Sequence, residues 1–209
     1  MEIKIENAKA AFKTADESVK KVLLALLPEL NEEVQTATKR PVIERVKTFE
    51  DALNELGEEH ILVKEFRGMI EYAADEDSNF PLVDLEAYLK LRIICTALNE
   101  GWKPRFTEDE VRWHPLFYLW TDDELSERSD EWKEDNALIS TKHYIGKWAG
   151  FAYARSVRAP SNASAYLGSR LCFKSEALAT YCGKQFISLW ADFSLIKKKT
   201  FYPPKITVK

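Results

Sequence analysis

The sequence predicts an α+β protein, with N-terminal helices followed by a small antiparallel sheet packed against a C-terminal helix. Three observations carry that reading. Residues 1–100 repeat apolar side chains at helical spacing. Residues 137–174 turn rich in β-branched and aromatic residues punctuated by glycine, and residues 175–193 return to the helical period behind a serine.

Taken in order, ENAKAAFKTADESVKKVLLALLPEL sets Phe12, Ala15, Val19, Val22, Leu23 and Leu26 on one helical face and stops at Pro28. This predicts an amphipathic helix or arm over 1–30, able to dock on the rest of the chain or on a partner. NEEVQTATKRP, 31–41, is polar and without an apolar period, as a linker is. Pro41 opens a short helix through Val42, Ile43 and Val46. Thr48-Phe49-Glu50-Asp51 has the form of a capping box ahead of Ala52, Leu53 and Leu56, with Gly57 as the stop. HILVKEFRGMIEYAA, 60–74, predicts a helix through Leu62, Phe66 and Ile70 that DEDSNFP breaks. DLEAYLKLRIICTALNEG then places Leu85, Tyr88, Leu89, Ile93, Ala97 and Leu98 on one side and closes at Gly101.

Thr107-Glu108-Asp109-Glu110 and Thr121-Asp122-Asp123-Glu124 read as two further Thr-led capping boxes, flanking HPLFYLW, 114–120, an aromatic stretch suited to a strand or a core wedge. Leu125 to Asn136 is acidic and reads as an exposed helix or a mobile segment. ALIS, HYIGKWAGFAYARSV and AYLGSRLCFK read as strands, with Gly146, Gly150 and Gly168 marking bulges or close backbone approach. RAPSNAS, 158–164, is the expected hairpin loop. Ser175 caps a helix carrying Leu178, Tyr181, Cys182, Phe186, Leu189, Trp190 and Phe193. The domain thus runs over 42–196, acidic and helical over 42–136, basic and β-rich over 137–196. The tail, 197–209, is basic and contains Pro203-Pro204, so it is expected to be extended.

Hydrophobic content of 45% beside 31% charged residues is ordinary for a globular chain, and 209 residues suffice for one sizeable core. No run of apolar residues is long enough for a membrane span, and MEIKIENAKAAFK lacks the apolar core of a signal peptide, so a soluble intracellular protein without a membrane partner is expected. Cys95, Cys172 and Cys182 are an odd set without pattern, which argues against a disulfide framework and a zinc knuckle and predicts reduced, mostly buried thiols. Asn162-Ala163-Ser164 reads as loop chemistry.

Net charge is −4, but it is unevenly spread. Residues 141–209 hold twelve basic residues against Glu176 and Asp192, a balance of +10, and residues 1–140 hold the other 18 basic and 32 acidic residues, a balance of −14. Such asymmetry suits either an external polyanion, bound with counterion release, or an acidic partner surface, in the same chain or a neighbouring copy.

No constellation satisfies the demands of catalysis, and no cofactor is expected. His60, His114 and His143 are scattered without metal-ligand spacing. Cys172 and Cys182 fit apolar positions, which favours packing over a nucleophile paired with His143. Asp122, Asp123, Glu108, Asp109 and Glu110 sit where helix capping already explains carboxylates. WAGFAYA and YLGSR lack the pattern of a phosphate cradle.

The basic, aromatic region is the informative one. Tyr144, Trp148, Phe151, Tyr153 and Tyr166 alternate with Lys142, Lys147, Arg155, Arg158 and Arg170, the mixture of rings and cations that a single-stranded nucleic-acid surface needs. Core packing claims more than half of the rings, with Tyr144, Tyr153 and Tyr166 expected to be exposed. Lys197, Lys198 and Lys199 add a basic run that reads as a solvated tail, or as an arm pinned to a neighbouring subunit through Phe201, Tyr202 and the prolines.

FEDALNELG, DLEAYLKLRIICTALNEGWKPRFTEDEVRWHPLFYLW and YLGSRLCFKSEALATYCGKQFISLWADF, at 49–57, 84–120 and 166–193, resemble a family encoded by phages and prophages of gut Bacteroidales. The shared pattern is ALNEGWKP, an aromatic cluster, then GSRL-x-FKS-x-x-LA-x-Y-x-GKQF. The segment before GSRL, KWAGFAYARSVRAPSNASAYL, is more basic here than in that family. The resemblance implies a phage origin, an α+β domain and a place in the host cytoplasm or the virion, and it implies no activity or site residues.

The expectation is therefore a non-enzymatic binding protein whose C-terminal third engages a polyanion, single-stranded nucleic acid first. Arg155, Arg158, Arg170 and Lys197 to Lys199 would contact phosphates, with Lys142 and Lys147 beside them, and Tyr144, Tyr153 and Tyr166 would stack. The rival expectation is a virion structural or assembly protein that uses its acidic and basic surfaces and its terminal arms for self-association or for contacts with other phage proteins.

Overall fold

The computed structural model describes residues 5–28, 30, 40–73, 83–105, 107, 109–160 and 170–198. Most of the linker, the breaker at 75–81, Tyr166, the sequon and Lys199 with the rest of the tail lie outside them. The chain divides into two compact units, Met1–Pro41 and Val42–Lys209. In the first, the single expected helix is two, α1 (Ile5–Thr14) and α2 (Glu17–Leu26). The break is chemical: the Asp16 carboxylate accepts hydrogen bonds from the Ser18 and Val19 amides and starts a new helix within the apolar period. Val19, Val22 and Leu26 of α2 are exposed.

The second unit is a mixed α+β fold. Helices α3 (Val42–Arg45), α4 (Phe49–Leu56), α5 (Ile61–Ala73) and α6 (Val83–Leu98) lead to strand β1 (Val111–Trp120). Two short helices, α7 (Asp122–Ser126) and α8 (Asp130–Asp135), connect β1 to β2 (Ile139–Ser140), and β3 (Gly150–Pro160) is followed by α9 (Glu176–Gln185) and α10 (Ile187–Ser194). The capping boxes at Thr48–Asp51 and Thr121–Glu124 are formed, and Ser175 caps α9. The third expected box is not a helix start: Val111 enters β1 directly, and the Glu110 amide donates to the Thr107 carbonyl, with Glu108 outside the described residues.

Helix α6 is the hub. Leu91, Ile93, Ile94, Cys95, Ala97 and Leu98 are all buried, with α4 and α5 on one side and α10 on another, so it is apolar nearly all round rather than one-sided. Leu85, expected on the buried side, is exposed in its first turn. Past its end, buried Asn99 clips the C-terminal part of the domain to the helix: its amide donates to the Cys172 carbonyl at 2.8 Å and its side-chain oxygen accepts from the Lys174 amide at 3.0 Å. Arg45 joins Glu55 and Glu100, and Lys174 also reaches Glu100.

The sheet is antiparallel in the order β1-β3-β2, and Phe173 bridges to Trp113 on the free side of β1. Pairing of β1 with β3 is interrupted by a bulge at Leu116/Phe117, which leaves Ala154 unpaired. One face packs against α9 and α10: Phe117 stacks on Phe151 at 4.8 Å and meets Trp190 at 5.4 Å, while Tyr153 reaches the Thr180 hydroxyl at 2.9 Å. Helix α9 approaches so closely that a Cβ on Gly183 would lie 2.8 Å from both the Pro115 Cβ and the Tyr153 ring.

Gly183→Ala is therefore expected to cost about 1 to 3 kcal/mol by overpacking a rigid contact. Gly68→Ala, exposed in α5 with nothing within 4 Å of its Cβ, is expected to stabilise by about 0.5 to 1 kcal/mol. Denaturant melts of the two variants check both signs.

Candidate nucleic-acid interface

The sheet has two faces with different fates. Alternation along β1 sends Trp113, Pro115, Phe117 and Leu119 toward the helices and Arg112, His114, Leu116, Tyr118 and Trp120 to the opposite face. On β3 the bulge shifts the parity, so Tyr153 and Ser156 share the helix side and Arg155 and Val157 share the other with Leu116 and His114.

Two of the three tyrosines expected to stack on bases, Tyr144 and Tyr153, are used by the core. Tyr153 is 6% exposed, and its hydroxyl lies 3.1 Å from that of Ser156 and 2.9 Å from that of Thr180, with the Lys184 ammonium 5.4 Å from its ring centre. Tyr144 is 7% exposed and donates to the Asp192 carboxylate at 2.6 Å; Lys197 pairs with the same carboxylate at 2.8 Å. Burial first, then the hydrogen bond and charge of Asp192, push the Tyr144 phenol above its usual pKa. The expected exposure of both rings is thus corrected, because each hydroxyl finds an internal partner that makes burial inexpensive. Lys197 belongs to this cluster and bridges Tyr144 by backbone, and the Lys198 ammonium donates to the Lys142 carbonyl.

The remaining cations are on the surface. Arg155 and Arg158 are exposed on β3, on opposite sides of the sheet by their register with Leu116 and Trp113. Lys142 and Lys147 are exposed between β2 and β3, with Lys147 beside Trp148, and Arg170 is exposed next to the Phe173 bridge. None of these five makes an ion pair with another described residue. They do not form one track.

The exposed rings are others. Tyr118, 47% exposed, stands on the outer face of β1, adjoining Leu116 and Arg155. Trp120 continues the row and meets the half-buried Trp132 edge-on at 4.9 Å, with the Arg128 guanidinium 4.9 Å from the Trp120 ring and 5.1 Å from Trp132. Helix α7 closes this end of the face because Gly150 gives it room: a Cβ there would lie 2.9 Å from the Leu125 side chain and 2.7 Å from that of Leu138. The outer face therefore carries exposed Tyr118 and Arg155 with half-buried Leu116 and Val157 beside them, bounded at one end by the acidic α7 and α8. HPLFYLW reads from the sequence as a strand or a core wedge, and because both alternating faces are apolar or aromatic it carries no signal that Tyr118 lies outside.

At the other end of the row His114 is buried. Desolvation, then the charge of Arg112, lower its pKa from 6.5 to about 4, against a hydrogen bond with the Leu171 backbone; its Nε2 has no partner. All three cysteines are buried and none is in a disulfide, and burial pushes the Cys172 thiol up to about 11, so it is not a ready nucleophile. Among the described residues no three His, Cys, Asp or Glu side chains are placed to hold a metal, and no helix is long and apolar enough to cross a membrane.

Two outcomes follow. Folded His114 binds its proton less readily than unfolded His114, so its contribution to stability is complete above about pH 6.5 and is lost as pH falls toward 4. Thermal melts across that range are expected to decline, with a shallower decline in His114→Asn. Tyr144→Phe keeps the ring and removes a charge-assisted hydrogen bond, and is expected to cost about 1.5 to 3 kcal/mol in the same melts. Comparison with protein-family models, curated proteins and solved structures gives no match for this chain.

Proposed function

We propose that the protein is a non-enzymatic binder of a polyanion, single-stranded nucleic acid, on the face of the sheet opposite α9 and α10. The observation that carries this reading is Tyr118, a large ring 47% exposed near the end of β1, on the same face as exposed Arg155, which pairs with Leu116 two positions earlier in the strand. A base stacked on such a ring gains about 1 to 3 kcal/mol, and any base can do so, since each has a π-face. Arg155 supplies the phosphate contact beside it, with Leu116 and Val157 as the apolar floor. The acidic residues of α7 and α8 repel phosphate, so the strand runs from Tyr118 toward Arg155 and away from those helices. Compared with the expectation from sequence, the stacking role passes from Tyr144 and Tyr153 to Tyr118, and Arg155 keeps its role.

A second reading, a phage assembly protein, is favoured by a different patch. Ile145 and Ile196, 64% and 69% exposed, are joined by the Ile145 amide on the Ile196 carbonyl, and Lys142, Lys147 and Lys198 are exposed in the same segments. An apolar centre with a cationic rim suits an acidic protein surface.

Labelled oligo-dT and oligo-U at two salt concentrations test the first reading by fluorescence anisotropy. Binding is expected to weaken with salt, Tyr118→Ala to cost about 1 to 3 kcal/mol, and Arg155→Gln to lower the salt slope by about one. Absence of binding at low salt, or a Tyr118→Ala variant that binds as well as the parent, would sink it. Self-association abolished by Ile145→Asp would then support the second.

A further inference from the structure

A cleft of about 450 Å³ opens between the start of α5, the end of α6, the turn after it and the segment leading to the Phe173 bridge. That volume is in the range of small-ligand sites. Its lining is chemically one-sided. Arg92 comes from α6, Lys103 from just past the turn and Arg170 from beyond β3, and among the described residues no carboxylate lines the cleft. None of the three cations forms an ion pair with another described residue. His60 adds a donor: the Leu62 amide donates to its Nδ1 at 3.2 Å, so the neutral ring carries its proton on Nε2.

Three like charges lining one cavity repel each other, and an anion seated among them lowers that cost. The walls ask for more than a bare ion. Trp102 and Ile61 give the cleft an aromatic and an aliphatic side, and inorganic phosphate would leave both unused.

We propose that this cleft binds a small phosphorylated ligand bearing a flat ring, of the nucleoside monophosphate class. The phosphate sits among Arg92, Lys103 and Arg170, and the ring packs on Trp102. Arg guanidinium suits the task, since it offers paired donors to phosphate oxygens and keeps its charge. The site shares no residue with the outer face of the sheet and does not depend on the nucleic-acid reading.

Calorimetry on the full chain, with the four nucleoside 5′-monophosphates, the matching nucleosides and inorganic phosphate, tests it. At least one nucleotide is expected to bind about tenfold or more tightly than its nucleoside and than phosphate. Arg170 is exposed, so Arg170→Gln leaves the fold intact, and it is expected to weaken the nucleotide about tenfold, as is Arg92→Gln. Trp102→Leu is expected to reduce nucleotide affinity to that of phosphate, and Tyr118→Ala to change nothing. No binding of any nucleotide at millimolar concentration overturns the proposal. So does phosphate binding as tightly as nucleotide, binding unchanged in a folded Arg92→Gln, Arg170→Gln double variant, or binding lost in Tyr118→Ala.

Discussion

The close seat of α9 on the sheet, made possible by the missing side chain at Gly183, governs how the C-terminal third is used. With Pro115 and Tyr153 that near the helix backbone, no room remains between α9 and the sheet for a ligand. The ring cluster of Phe117, Phe151 and Trp190 fills the rest of the layer. Everything aromatic on the helix side is therefore spent on the core, and the surface chemistry of the sheet is left to whatever the outer face carries.

Much of the fold was legible because its signals are local. The helical period, the Thr48 and Thr121 boxes, the Ser175 cap and the aromatic strand each depend on neighbours within a few residues. What was not legible depends on partners far away. Tyr144 is buried because of Asp192, 48 positions on, and Asn99 matters because of Cys172 and Lys174. The bulge is the sharpest instance. Unbroken alternation from Tyr153 would put Arg155 on the helix side; the extra residue, Ala154, turns it to the other face. The cleft was equally hidden, since His60, Arg92, Trp102, Lys103 and Arg170 are scattered over the chain and only the fold gathers them.

The uneven charge along the chain resolves into several smaller arrangements. Lys174 and Lys197 are neutralised internally, by Glu100 and Asp192, and so stabilise the domain rather than a complex. Arg155 faces outward on the sheet, Arg170 joins two cations of the acidic half at the cleft, and Lys142 and Lys147 lie between β2 and β3. Position in sequence thus overstates the unity of the basic third. Its cations serve separate surfaces, and the acidic α7 and α8 give the outer face a direction.

The central claim is that the two faces of one sheet do different work, structure on the helix side and binding on the other. Backbone and aromatic NMR shifts followed during titration with a short oligo-dT test it most directly. The account expects progressive shifts at Leu116, Tyr118, Arg155 and Val157, with Tyr144, Tyr153 and Thr180 unmoved. Shifts centred on Tyr153 and Thr180, with Tyr118 unmoved, would contradict it.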